Sequence, residues 1–238
     1  MANYILHEAD TRGRGDYGWL NTRYTFSFSN YYNPERMNFG LLRVINDDII
    51  AGGRGFDTHH HDNMEVITIP LEGALEHKDN TGHTSIIESG DIQVMSAGTG
   101  IYHSEYNAST ETPVKLLQIW VFPEKRNVEP RYDQLSYNPE DHRNTIQEVL
   151  SPGPTKKGLW IHQKAWFSLG TFDKGISANY KLKGEKSGLY VFVIKGNLKI
   201  SDEYVLSERD GLGIWNTGEI SLVANSSCEF LLMEVPMQ

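Results

Sequence analysis

Thr58-His59-His60-His61-Asp62-Asn63-Met64-Glu65 places three of the chain's nine histidines side by side. Imidazoles hold divalent metals and move protons near neutral pH, yet three neighbours cannot share one task. Residues two apart in an extended strand lie on one face, so His59 and His61 point together and His60 points away. Two imidazoles placed in this way can converge on one ion, each about 2 Å from it. His103-Ser104-Glu105 repeats the i, i+2 spacing downstream. Two adjacent strands carrying these pairs offer three nitrogens and a carboxylate oxygen. That donor set suits a divalent first-row metal and leaves two octahedral positions open for substrate or oxygen. Glu65 has the parity of His61 and is the rival carboxylate. Gly52-Gly53-Arg54-Gly55 and Ala97-Gly98-Thr99-Gly100 let the backbone turn tightly beside both pairs.

The other histidines carry weaker signals. His77 and His83 flank a predicted hairpin tip, where exposure to solvent is the expectation; His7, His142 and His162 have no partner at ligand spacing. Cys228 is the single cysteine, which excludes an internal disulfide and reads as a small packed residue.

The elements that must position these residues are strands. Short runs rich in Val, Ile, Tyr, Phe and Trp recur between Gly, Asn and Asp, as in Tyr24–Phe28, Gly40–Ile45, Val66–Leu71, Leu116–Phe122 and Leu189–Ile194. Asp79-Asn80-Thr81-Gly82 predicts a hairpin between Gly73–His77 and His83–Glu88. Asn138-Pro139-Glu140-Asp141 can open one turn of helix, and Thr145–Leu150 reads equally well as strand. A weak repeat joins the halves. Ile69–Gly73 followed by Gly90–Met95 is matched by Val193–Gly196 followed by Arg209–Trp215. The pattern predicts an all-β sandwich or barrel, duplicated. Ser151–Gly158, rich in Pro, Gly and Lys, is the expected linker region.

Composition narrows the function classes. The chain has 238 residues, is 39% hydrophobic and 22% charged, and carries 31 acidic against 22 basic residues for a net charge of −9. That balance repels phosphate backbones and anionic lipid, which argues against direct nucleic-acid or membrane-surface binding. No apolar run reaches the 18 or so residues of a membrane-spanning helix. The opening residues lack the basic-then-apolar layout of a secretory signal, so a cytoplasmic setting is expected.

Gly53, His59-His60-His61, Glu65 and Gly73 resemble the first motif of the cupins; Gly90, Gly98, His103 and Asn107 resemble the second. Ser96 stands where the general pattern has proline, and four residues separate Gly98 from His103. With those departures, Met95–Glu105 resembles the pirin family. Tyr17-Gly18-Trp19-Leu20, Tyr24–Phe28 and Leu42–Asp48 resemble its bacterial members. The resemblance implies a bicupin, an all-β protein of two β-barrel, jelly-roll-like domains facing each other. The expected domains are residues 1–135, holding one divalent metal, and residues 136–238, without ligands. The implied metal ligands are His59, His61, His103 and Glu105. Iron is the first expectation, with zinc, manganese, cobalt, nickel or copper also accommodated. His60 stands where pirins usually have proline.

Bacterial pirins of this type are similar to quercetin 2,3-dioxygenases, which open flavonols with dioxygen and release carbon monoxide. The resemblance therefore implies a small aromatic, flavonol-like substrate and O2, with Glu105 accepting the 3-hydroxyl proton. Met64, Met95 and Tyr102 are the candidate pocket walls. Eukaryotic pirins imply a second reading, a metal-binding regulator acting through a protein partner without turnover.

Overall fold

The computed structural model describes residues 1–154 and 158–237. Among the described residues there is no α-helix; the helical pieces are two 3-10 turns, Ala9–Thr11 and Pro139–His142. The second of these begins at Asn138, whose side chain accepts a hydrogen bond from the Glu140 amide, with Pro139 at the first helical position. The strand Ile146–Pro152 follows directly.

The strands form two seven-stranded and two four-stranded sheets. The large sheet of the first half runs in the order Arg131–Ser136, Asp91–Ser96, Glu65–Glu72, Val114–Val121, Leu42–Ile50, Leu20–Tyr24, Gly13–Asp16. Its small companion sheet runs Gly55–His61, Ile101–Asn107, Ala74–Asp79, Thr84–Glu88. The second half repeats both orders, with the N-terminal strand Asn3–His7 supplying the edge of its large sheet, so the molecule is a bicupin. The predicted hairpin is present: Ala74–Asp79 pairs with Thr84–Glu88 across the Asn80-Thr81-Gly82 tip.

Strand periodicity sorts the side chains of the first half into two environments. Along Glu65–Glu72, Ile67 and Ile69 enter a core shared with Phe167, Phe192 and Leu231 of the second half. Val66 instead packs inside the first barrel, with Met95, Ala97 and Ile101. Each such side chain, fully buried, stabilises the fold by about 1.5–3 kcal/mol. The large sheets are therefore covered on both faces, which explains their nearly continuous apolar runs.

Two features of the chain path differ from the sequence reading. Ser151 and Pro152 end a strand that pairs in parallel with Leu159–Ile161. Ser151–Gly158 therefore connects neighbouring strands of one sheet and does not link the halves; its residues 155–157 lie outside the described residues. The crossing occurs through 137–145, just after Arg131–Ser136, so a division at residue 135 falls near the end of that strand. The N-terminal strand Asn3–His7 pairs with Gly211–Trp215 and edges the second half's sheet. Cys228 is buried as expected, and burial pushes its thiol up to about 11.

Candidate metal centre

The histidine triplet ends the outer strand of the small sheet. His59 lies opposite His103 and His61 opposite Ile101. The pleat sends His59 and His61 toward the barrel interior. It sends exposed His60 outward, against the Tyr102 ring at 4.7 Å. Along Ile101–Asn107 the buried positions are Ile101, His103, Glu105 and Asn107. A register shift between His103 and Glu105 puts Phe56 opposite Glu105. Gly55 makes this close approach possible, since a Cβ there would lie 2.2 Å from the Glu105 carbonyl oxygen. Gly100, at φ +135°, likewise leaves room for His60.

A hydrogen bond assigns the imidazole proton of His59. His59 Nδ1 faces the Asp57 carbonyl oxygen at 2.8 Å. A carbonyl only accepts, so Nδ1 carries the proton and Nε2 keeps its lone pair. Nε2 of His61 and Nε2 of His103 are buried without a hydrogen-bond partner. The three rings lie 4.3–4.9 Å apart, centroid to centroid. Burial, and then the neighbouring imidazoles, push His61 down to about 4 and His103 down to about 3. Neutral rings with unpaired inward nitrogens are the form that binds a metal, and buried nitrogens left unpaired are costly. The residues present therefore fit a divalent ion.

Four ligands were expected, and the geometry groups them in two overlapping triads. His59, His61 and His103 form one; His77, His103 and Glu105, all buried, form the other. In each triad the ligand atoms lie within 4.8 Å of one another. His103 belongs to both, so Glu105 adjoins the imidazole triad through it. Gln118 Nε2 donates to both Glu105 oxygens, at 3.2 and 3.1 Å. Gln118 Oε1 accepts from Trp120 Nε1 at 3.2 Å, and the Trp120 ring meets His61 edge-on. The carboxylate and one imidazole are thus held by a single connected frame.

His77 contradicts its sequence reading. It is 0% exposed, because it alternates inward with Leu75 rather than fraying at the hairpin tip. The Leu75-x-His77-x-Asp79 alternation was the available signal. His83 keeps a side chain that is 48% exposed. Glu65, the rival carboxylate by parity, is held at the seam between the halves. It shares the seam face with Ile67, accepts a hydrogen bond from Ser96 Oγ at 2.6 Å and meets His162 Nδ1 of the second half at 3.3 Å. Burial raises its carboxyl to about 7 despite the Ser96 and His162 contacts. It belongs to neither triad.

The proposed pocket walls also lie elsewhere. Met95 is 0% exposed within a packed apolar cluster, with Met64 against it, and Tyr102 is 52% exposed on the outer face. Parity explains Tyr102, which sits between inward Ile101 and inward His103. The cavities beside the centre have other linings. One of about 260 Å³ is walled by Tyr17, Trp19, Tyr24 and Phe28, with Thr22 and Asp48 among its polar groups. Another of about 530 Å³ reaches His59 past Arg54 and Tyr106. Trp19 and Phe56 line both and meet edge-on, 5.2 Å apart. Asn46 Oδ1 is buried without a partner. Burial is the main cause that raises Asp48 to about 7, with Asp47 and Glu105 adding to it and the Thr22 hydroxyl opposing. None of these residues was singled out in the sequence as a pocket wall. A separate cleft of about 340 Å³, lined by Ile69, Ile92, Tyr137 and Leu169, contains no residue of either triad.

The chain is similar to known proteins over nearly its whole length. Residues 7–121 match the pirin family model, and residues 148–235 match that of the quercetinase C-terminal cupin domain. The chain is 41% identical to a quercetin 2,3-dioxygenase of Escherichia coli, over 97% of this chain and 98% of the relative. It is 37% identical to a pirin-like protein of Caulobacter vibrioides, over 94% and 96% of the two chains. Its structure superposes on the Escherichia coli bacterial pirin YhhW in complex with nickel(II) with a TM-score of 0.93. That pair is 40% identical, covering 99% of this chain and 100% of the other. The nickel complex of that relative, together with the His/Glu cluster here, supports a bound metal ion. With both cupin halves matched and relatives aligned over nearly their whole length, this chain belongs to the pirin family.

Proposed function

We propose that the protein is a metal-dependent dioxygenase of flavonol-like aromatics. His59, His61, His103 and Glu105 hold one divalent ion in the first half, and O2 is the co-substrate. The observation that carries this reading is the convergence of neutral imidazoles with unpartnered nitrogens beside a buried carboxylate, with aromatic-walled cavities adjoining. The relatives named quercetin 2,3-dioxygenase support the same chemistry.

A bound divalent ion supplies Lewis-acid polarisation of an enolisable substrate oxygen. The chain's own residues do the rest. Glu105 accepts the proton of the substrate hydroxyl, and Gln118 keeps that carboxylate aimed while leaving its outer lone pairs free. Trp19, Phe28 and Phe56 offer flat apolar surface to fused rings and exclude water. Asp48, with its carboxyl raised to about 7, takes up or releases a proton on the cavity wall near neutral pH.

The test is quercetin turnover by metal-loaded protein, followed as absorbance loss, oxygen uptake and carbon monoxide release in stoichiometric proportion. Turnover that continues without oxygen would replace the dioxygenase by an isomerase or decarboxylase. Metal binding with no turnover of any flavonol would favour the regulatory reading.

A further inference from the structure

We infer that Asp79 and His77 form a relay that sets the tautomer of His103 and thereby makes it a metal ligand; this rests on reading His59, His61 and His103 as the metal centre. His103 Nδ1 faces His77 Nδ1 at 3.5 Å, and His77 Nε2 faces Asp79 Oδ2 at 3.0 Å. The side chains of His77 and Asp79 are both 0% exposed. Two ring nitrogens that face each other need one proton between them, and both rings can supply it. Asp79 decides which. Burial raises its carboxyl, but hydrogen bonds from Thr81, His77 and the backbone amides of His83 and Thr81 outweigh that and hold it below the usual carboxylate range. An ionised carboxylate only accepts, so His77 Nε2 carries that ring's proton and His77 Nδ1 is bare. The proton between the rings then belongs to His103 Nδ1. His103 Nε2 is left with a lone pair, and it is one of the buried nitrogens without a partner.

The hairpin turn fixes the relay's outer end. Asp79 Oδ1 accepts from the Thr81 amide at 2.8 Å, the Thr81 hydroxyl at 2.6 Å and the His83 amide at 3.2 Å. Oδ2 is left to His77 at 3.0 Å, with His83 Nδ1 farther off at 3.7 Å. The turn residue that closes the hairpin therefore also orients a ligand two rings away. His77 is a positioning residue in this assignment, not a ligand, even though it falls within the second triad.

Asp79→Asn is a directional test. Three donors at the Oδ1 position hold the amide oxygen there, so the amide NH2 turns toward His77. His77 Nε2 must then accept, its proton moves to Nδ1, and the proton on His103 is displaced to Nε2, where it blocks coordination. Nickel(II) affinity, measured by chelator competition, is expected to fall about 10–100-fold, the usual cost of losing an outer partner of a ligating histidine. His77→Ala should weaken binding, and adding Asp79→Asn in that background should change nickel(II) affinity no further. Imidazole 15N NMR of the metal-free wild type should show His103 protonated at Nδ1 and His77 at Nε2. Additive losses in the double variant, or unchanged affinity in Asp79→Asn, would refute the relay, as would an Nε2-protonated His103 in the spectra. Loss of nickel(II) in His77→Ala together with its retention in both His59→Ala and His61→Ala would make His77 a ligand and refute the underlying centre as well.

Discussion

The two halves of this protein share a strand order and differ in what fills the barrel. Ser177–Lys181 and Glu219–Ala224 occupy the places in the second small sheet that Gly55–His61 and Ile101–Asn107 occupy in the first. Their pairing is regular, without the register shift found at Glu105. Where the first half turns His59, His61, His103 and Glu105 inward, the second turns in Ala178, Tyr180, Ile220, Leu222 and Ala224. The Tyr180 hydroxyl donates to the buried Glu234 carboxylate at 3.0 Å, so that polar pair is satisfied. The first interior leaves Asn46, His61, Thr68 and His103 with unpartnered atoms. A barrel carries such atoms at a cost in stability unless a bound group pairs them. Polar groups fill one barrel and apolar packing fills the other, on the same scaffold.

Metal stoichiometry tests this contrast most strongly. Elemental analysis of reconstituted protein should give about one divalent ion per chain, falling nearly to zero in His61→Ala. A value near two would give the second half a site and end the contrast. Next comes the carboxylate. Glu105→Gln should retain part of its metal but lose about 10²–10⁴ in flavonol turnover, because an amide can coordinate yet cannot take a proton. Full activity in that variant, with metal content measured alongside, would remove Glu105 from proton transfer.

Packing in the second half gives the counterpart. Leu222→Ala should cost about 2–5 kcal/mol in urea unfolding and leave metal content unchanged. A loss of metal there would show that the halves are coupled more tightly than their separate interiors suggest.

The seam is probed by pH. The folded protein holds the Glu65 proton up to about pH 7, whereas an ordinary glutamate releases it near 4.5. The folded state binds more protons between those values, so this group makes stability fall as pH rises from about 4.5 to about 7. Glu65→Gln abolishes that loss. Its stability relative to wild type should improve by up to about 3 kcal/mol across the window, measured by urea melts at pH 5 and pH 8. A constant difference would mean that His162 and Arg131 already neutralise the carboxylate. The smallest effect is expected at His60. His60→Ala should keep full metal content and shift stability by no more than about 0.5 kcal/mol. Loss of metal in that variant would move the strand face by one residue.

Much of the centre was legible because period-two alternation is a local property. His59 and His61 on one face, His60 on the other, and the His103/Glu105 pair all follow from residues two apart, and so does the hairpin at Asp79–Gly82. The departures arise where parity runs out. Parity within Ile101–Asn107 sets Tyr102 against His103, but parity within Asp91–Ser96 does not say that the face of Met95 is already filled by Val66, Ala97 and Ile101. Parity aligned Glu65 with His61, yet the two lie on different strands, and the turn at Asp62–Met64 resets the face.

The sequence by itself determined an all-β duplicated protein, a histidine-rich site confined to one half, and the residues that share a face within each strand. Those properties depend on chain spacing and turn chemistry. The tertiary structure alone decided which distant strands lie side by side. His103 meets His77 from 26 residues away, Gln118 holds Glu105 from 13 away, and Asp48 joins Thr22 in lining the aromatic cavity across a strand pair. Strand order and register follow from how both large sheets bury their apolar faces at once. Burial on that scale is a property of the whole chain, which no short stretch of it encodes.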